Sequence, residues 1–387
     1  MTTGSRPKIV LFSGGSAARS INIALSRRGA DITRIVPAWD SGGSSKVIRE
    51  TFDMLPVGDV RQALMTMAFG EGRTGDAVKV FNTRLSNAAD ADEARTEFAF
   101  YASGEHPLLQ RMSSDMRDAI LRYLNVFGDK IPKDFNFRNG SIGNFILTGA
   151  YLAHGGDINR AIGVFRALDQ IDGRVWPTSI EPDIQMTARL NDGRVVEGQH
   201  RITGLDDEAS TVGIKSIDMR NGAGLRAKAN DEIFGPVSEA DLIVFGPGSF
   251  FTSIMPHFLV DDVAHAVAKN RRAPRVFIGN ILECTETRGR SLSDLLDIFL
   301  ASWRRDGGER RRGLTHLISN RDLFPFAKTV GKFRYLREGD LAATCEKQRL
   351  TWLSGEFEDP WTRGQHDGEE VASALMKIAA SGQGPDA

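Results

Sequence analysis

Cysteine is nearly absent: the 387 residues hold two, Cys284 and Cys345. They lie far apart and form no Cys-x-x-Cys pair, so a disulfide framework and a cysteine zinc site are excluded. Long apolar runs are missing as well. No stretch of about eighteen apolar residues occurs, so no transmembrane helix and no membrane partner are expected. The opening segment Met1 to Lys8 lacks the apolar core of a signal peptide, and a reducing cytoplasm is the expected compartment. Nor is there an excess of charge of one sign. Lys and Arg number 49 against 50 Asp and Glu, for a formal net charge of -1. Nucleic-acid binders carry a basic surplus, so nucleic acid is not an expected partner. The basic cluster Arg304, Arg305, Arg310, Arg311 and Arg312 is interleaved with Asp306 and Glu309 and reads as a solvated loop.

Several standard site signatures are also lacking. Gly-x-Gly-x-x-Gly does not follow the first strand pattern, and no Gly-x4-Gly-Lys-Ser/Thr occurs, so neither a conventional NAD site nor a P-loop ATPase is supported. His-Glu-x-x-His and the nucleophile elbow are absent, so metal-hydrolase and hydrolytic-triad chemistry are unsupported.

What is present is a repeated strand-then-small-residue pattern. Ile9 to Phe12 forms a short apolar run and breaks at Ser13-Gly14-Gly15-Ser16. A helical spacing follows, stopping at Arg27-Arg28-Gly29. Ile32 to Trp39 then reads as a second strand, and a unit of this length implies a right-handed crossover with parallel pairing. Further apolar strands are expected at Asp241 to Phe245, Arg275 to Ile278 and Leu314 to Ile318. The expected fold class is therefore α/β, a Rossmann-like three-layer fold with a mostly parallel sheet. A helical insertion is expected at about 60–170, and an antiparallel β-hairpin appendage at about 180–235, turning at Asn191-Asp192-Gly193 and running back over Val195 to Ile202. A single domain over 1–380 and a disordered tail at 381–387 complete the expectation.

In open parallel sheets, ligands bind beyond the carboxyl ends of the strands. Small and polar residues stand there: Ser13, Gly14, Gly15 and Ser16; Asp40, Ser41, Gly42, Gly43, Ser44 and Ser45; Gly246, Pro247, Gly248 and Ser249; and Asn280. Glycine lets backbone N–H groups approach a phosphate, and the following helix adds free N–H groups and a positive dipole end. Each loop read alone is equally a tight turn. Asp40 suits Mg²⁺ binding or orientation of a nucleophile, and equally a turn or capping role. His257 can line a pocket or sit in the core, and Trp39 can stack on a ring or pack inside.

Read together, the loops resemble the family that joins 2-phospho-L-lactate transferase, the enzyme of coenzyme F420 synthesis, with the YvcK-like gluconeogenesis factors. The resemblance runs through Ser13-Gly14-Gly15-Ser16-Ala17, Asp40-Ser41-Gly42-Gly43-Ser44-Ser45-Lys46 with Arg49, and Leu55-Pro56-Val57-Gly58-Asp59-Val60-Arg61. It continues at Ser141-Ile142-Gly143-Asn144, at Gly246 to Pro256 with Thr252 and Ser253, and at Asn280 to Asp294 with Thr285-Glu286-Thr287. It covers roughly residues 8 to 320. The first loop has lost two glycines of the family pattern, and Lys46 replaces a glycine, as in a divergent CofD-like branch. The resemblance implies a nucleotide diphosphate ligand, such as a GDP- or UDP-conjugate, and a homodimer. Transferase members move a phospholactyl-type unit to an alcohol with Mg²⁺; YvcK-like members bind UDP-sugars and regulate. On the transferase reading Asp40 is the catalytic and metal-binding residue. Asn144 and Asn280 contact the ligand or tie loops together.

Overall fold

The computed structural model describes residues 6–70, 75–168, 170–305, 313–321 and 328–382. Most of the arginine-rich loop (306–312) and all but the first two residues of the 381–387 tail lie outside the described residues. The strands are β1 (Lys8–Phe12), β2 (Asp31–Val36), β3 (Arg174–Pro177), β4 (Gln185–Leu190), β5 (Val195–Glu197), β6 (Ile214–Arg220), β7 (Leu242–Phe245), β8 (Arg275–Ile278), β9 (His316–Asn320), β10 (Thr329–Val330), β11 (Phe333–Arg334) and β12 (Thr351–Gly355). Seven of them form one sheet in the order β12-β9-β8-β7-β1-β2-β3. Every pairing in it is parallel. Its central strands are buried on both faces, which is why they read as unbroken apolar runs rather than as alternation.

The chain order turns back at β1. From β1 it winds outward through β2 and β3, and from β7 it winds the other way through β8, β9 and β12. Connections leaving adjacent strands toward opposite sides open a crevice at their carboxyl ends. Here that crevice lies between β1 and β7, between the Ser13 loop and the Gly246 loop.

The first helices are α1 (Arg19–Arg27), α2 (Gly43–Phe52) and α3 (Gly58–Gly70). Then come α4 (Asp76–Asn82), α5 (Ala91–Ala102), α6 (Pro107–Gln110), α7 (Ser114–Lys130), α8 (Ile142–Ala153) and α9 (Ile158–Leu168). The long helical stretch thus lies between β2 and β3. Helix α3 packs on β2, β3 and α1, and α7 packs on α8. Phe98, Phe127, Phe135, Phe137 and Phe145 form a stacked and edge-to-face cluster inside the insertion. Such ring pairs add stability beyond area burial.

Three details differ from the sequence expectation. Strand β2 ends at Val36, because the chain turns toward Asp40 before Trp39. The appendage is a three-stranded antiparallel sheet, β5-β4-β6, rather than a two-stranded hairpin. Its turn at Gly193 (φ +94°) is as expected, but residues 199–203 form a short helix, α10 (Gln199–Thr203), after Gly198 at φ +90° breaks the returning strand. The edge strands β3 and β12 gave no clear sequence signal: β3 has four residues and ends in proline, and β12 is half-exposed without alternation. Both cysteines are free. Among the described residues no helix is long and apolar enough to cross a membrane.

Candidate functional site

The first loop is built on an arginine hidden in a strand. Arg34 in β2 is fully buried, and its guanidinium donates to the carbonyls of Gly14 and Gly15 and, at 3.0 Å, to Ser13 Oγ. Those carbonyls are drawn inward. Among the described residues the N–H groups of Ser16 and Ala17 beyond them make no hydrogen bond. Burial brings Arg34 down to about 10, with Asp59 acting the other way.

Gly15 donates its N–H to Asp59 Oδ1 at 3.2 Å. A Cβ on Gly15 would stand 2.5 Å from that oxygen and 2.9 Å from Asp59 Cα, so only glycine fits where the start of α3 meets the loop. The second loop arrives at the same place. A Cβ on Gly58 would lie 2.5 Å from Ser45 Oγ and 3.4 Å from Asp40 Oδ2. Asp40 Oδ1 accepts from Gly42 N–H at 3.0 Å, a turn bond that leaves the other oxygen toward Gly58. Burial, and then the Asp40 charge, push Asp59 up to about 6. Among the described residues no lysine or arginine hydrogen-bonds either carboxylate.

The rest of the second loop is held from two sides. Ser41 Oγ accepts the N–H of His200 in α10 at 3.1 Å and pairs with His200 Nδ1 at 2.8 Å, which fastens the antiparallel sheet over the loop. Gly43 opens α2 and is exposed, and Ser45 is buried. Ser44 Oγ accepts from Asn144 Nδ2 at 3.2 Å. Asn144 is buried, and its Oδ1 takes Arg61 Nε at 2.8 Å. Asn144 therefore ties α8, α3 and α2 together. Ser141 caps α8 by accepting from Asn144 N–H, and a Cβ on Gly143 would meet Phe81 O at 2.2 Å. The Ser-x-Gly-Asn element thus has a packing explanation at each position.

On the other side of β1, Gly246 takes φ +90°, and a Cβ there would lie 2.9 Å from Ile278 O. Asn280 grips Gly248 twice, accepting its N–H at 3.2 Å and donating to its carbonyl at 2.8 Å. Ser253 lies against Gly14, 3.2 Å from where a Cβ would be. Ser16, Arg19, Gly248, Ser249 and Asn280 border a cleft of about 510 Å³, which Gly364 to His366 also line. Nucleotide-sized ligands occupy clefts of this size.

Thr252 turns away from that cleft. It is buried, and its Oγ1 donates to Glu286 Oε1 at 2.6 Å. Glu286 Oε2 also accepts the N–H groups of Phe251 and Thr252, at 2.9 and 3.2 Å. The helical turn after the Gly-Pro-Gly-Ser loop is therefore capped by the chain's own carboxylate, whose pKa burial raises. Trp39 is buried with Nε1 on Thr252 O at 2.8 Å. His257 is buried and paired with Thr178 Oγ1, and burial holds it down near 3. Core packing accounts for both aromatic side chains.

The structure adds Arg34, Arg84 and His200 to the residues named from sequence, and gives contacts to Asp59, Arg61 and Glu286, which the sequence named only within motifs. An arginine within the apolar strand at Ile32 to Val36 is a readable signal for Arg34. Asp59 and Arg61 lie in the Leu55-to-Arg61 stretch, and their role shows only when α3 meets the first loop. Arg84 and His200 come from distant segments and carry no local signature.

Residues 9–340 match the family model described as 2-phospho-L-lactate transferase CofD. The gluconeogenesis factor of Listeria monocytogenes is 28% identical over 379 residues, covering 98% of this chain and 97% of the relative. The putative gluconeogenesis factor of Nostoc sp. is 26% identical over 380 residues, covering 96% of this chain and 68% of the relative. In fold, the chain is similar to a Bacillus halodurans protein of the UPF0052 family, with TM-score 0.69 at 22% identity over 96% of this chain and 99% of that one.

Proposed function

The chain belongs to the 2-phospho-L-lactate transferase CofD family, and from that premise we propose that it is a Mg²⁺-dependent transferase. It would move a phosphate-linked unit, of the 2-phospholactate type, from a nucleoside diphosphate conjugate to a hydroxyl acceptor. The observation that carries this reading is the approach of Asp40 and Asp59 around Gly58, where among the described residues no lysine or arginine hydrogen-bonds either carboxylate, beside glycine loops on both flanks of β1. Two neighbouring carboxylates, of which the Asp40 charge makes Asp59 harder to ionise, fit a divalent cation. Asp40 would hold it, and when bound it neutralises charge on the diphosphate oxygens.

The chain's own groups do the rest. The cleft at Ser16, Gly248, Ser249 and Asn280 receives the nucleotide part, with free N–H groups of the first loop toward its phosphates. The acceptor oxygen attacks the phosphorus distal to the nucleoside. The bond from that phosphorus to the bridging oxygen breaks, and the nucleoside monophosphate leaves with the electron pair. Asp59 keeps one oxygen on Gly15 and offers the other to the hydroxyl proton. A pKa of about 6 suits a group that takes a proton near neutral pH. Most of the rate comes from positioning and charge neutralisation.

The relatives are named gluconeogenesis factors, and the YvcK-like resemblance implies a second reading, a regulator that binds a UDP-sugar without turnover. Thermal unfolding against GDP, UDP-glucose and UDP-N-acetylglucosamine, with and without Mg²⁺, separates the two. A ligand at about one hundred times its dissociation constant adds roughly 2.7 kcal/mol. A Mg²⁺-dependent shift with GDP, lost in Asp40→Asn, is expected for the transferase. A Mg²⁺-independent shift with a UDP-sugar alone would replace it with the regulator. The proposal includes a cytoplasmic homodimer, and sedimentation at micromolar concentration tests its stoichiometry.

A further inference from the structure

Helices α4 to α8 bring an arginine to the second loop. Arg84 follows α4, and the backbone on both sides of it is fixed: Ile142 N–H donates to Thr83 O at 3.0 Å and Leu85 N–H to Gly140 O at 2.8 Å. Its side chain is exposed, and its Nη1 donates to Asn139 O at 2.6 Å and, more weakly, to Ser44 Oγ at 3.4 Å. Ser44 Oγ also accepts from Asn144. A hydroxyl oxygen that accepts two donors turns its own proton outward, as a donor.

Behind Ser44 stands Arg61, 3% exposed. Among the described residues its hydrogen-bond partners are neutral acceptors: Asn144 Oδ1, Phe81 O and Asn82 Oδ1. Burial and then the Arg84 charge bring it down to about 10, with Asp59 opposing them. Among the described residues no carboxylate hydrogen-bonds either guanidinium. The first turn of α2 contains no acidic residue, and its N-cap, Gly42, makes no side-chain cap, although Asp40 Oδ1 accepts the Gly42 N–H at 3.0 Å. Two cations and a hydroxyl with a proton to donate therefore share one side of the second loop. The Arg84 charge disfavours the buried Arg61 cation, and an anion between them removes that penalty. The guanidinium fork matches carboxylate and phosphate alike.

We propose that Arg84 and Ser44 form a subsite for the anionic group, carboxylate or phosphate, of a small acid, so that the helical insertion selects for an acidic ligand. This rests on the small-acid reading of the site but not on the nucleotide.

Calorimetric titration of inorganic phosphate, L-lactate and 2-phospho-L-lactate into wild type, Arg84→Gln, Arg84→Lys and Arg138→Gln tests it. Loss of one charge-assisted fork should weaken 2-phospho-L-lactate about tenfold to a hundredfold in Arg84→Gln. Arg84→Lys, which keeps the charge and the fold, should lose part of that affinity. Arg138→Gln, which removes an exposed arginine of the same insertion, should lose none. A parallel loss with lactate assigns the carboxylate to Arg84; a parallel loss with phosphate assigns the phosphate. Equal affinities in wild type and both Arg84 variants overturn the subsite, as does an equal loss in Arg138→Gln or no binding of any probe to wild type. A wild type that binds these acids but no nucleotide would sink the transferase reading and leave the subsite standing.

Discussion

Asp59 is where a single side chain works against the fold. Its folded pKa, about 6, lies above the ordinary 3.8. A raised carboxylate contributes stability in its protonated form, present below pH 3.8 and lost as pH rises through 6. At neutral pH the ionised group is therefore a net cost. Asp59→Asn is expected to stabilise the ligand-free protein by about 1–2 kcal/mol at pH 8, after discounting for partial exposure. It should also flatten the fall in stability between pH 4 and 6, both read by urea unfolding. If the proposed role is right, the same variant keeps nucleotide binding and loses turnover. A destabilised variant at pH 8 would contradict the strain. Of this, the sequence shows a carboxylate one residue after a glycine, inside the family-like Leu55-to-Arg61 stretch. Its burial beside Asp40 depends on residues 44 and 19 positions away.

At the scale of elements, the turn after β7 carries the clearest difference between pattern and structure. Gly-Pro-Gly-Ser followed by a helix reads as a phosphate cradle. Glu286, brought in by the chain after β8, accepts the N–H groups of Phe251 and Thr252 and the Thr252 hydroxyl. Thr203 of α10 donates to the same carboxylate at 3.3 Å. One buried side chain thus fixes the turn after β7 and the helix that covers the second loop. Glu286→Ala leaves two buried N–H groups unsatisfied and is expected to cost about 3 kcal/mol by chemical denaturation. Glu286→Gln, which keeps an acceptor, should cost much less. Similar losses in both would mean that the charge, rather than the acceptor, holds the turn. Thr252 was legible as part of a motif, but its direction was not, because the residue it faces lies 34 positions on.

Across the whole molecule, two histidines far apart in the chain are buried. His257 is held near 3 and His366 near 4, chiefly by burial. His366 Nε2 lies 3.1 Å from Gly279 O, and its own carbonyl accepts from Ser20 Oγ. A histidine lowered in the folded state contributes stability above its unfolded value of 6.5, lost as pH falls toward the folded pKa. Each should remove on the order of 2 kcal/mol by pH 5, while Asp59 acts in the opposite direction over pH 4 to 6. Urea unfolding from pH 7.5 to 5 should show a net fall that His366→Gln reduces. An unchanged slope in that variant would show that His366 titrates normally.

The sequence by itself determined the class of fold and the positions of the loops. Apolar runs at β1, β7 and β8 can be buried only on both faces, and small residues after them mark strand ends whatever the rest of the chain does. It also determined the Gly193 turn, since a left-handed residue between alternating runs leaves little choice. Only the tertiary structure decided which side of each loop is spent. Arg34 draws the Ser13 loop inward, Asn280 closes on Gly248, Asn144 is used up between Arg61 and Ser44, and Arg84 reaches the second loop from an insertion with no motif of its own. A hydrogen bond depends on where two backbones meet. These meet across separations of 20, 32, 83, 100 and 40 residues, which local spacing does not encode.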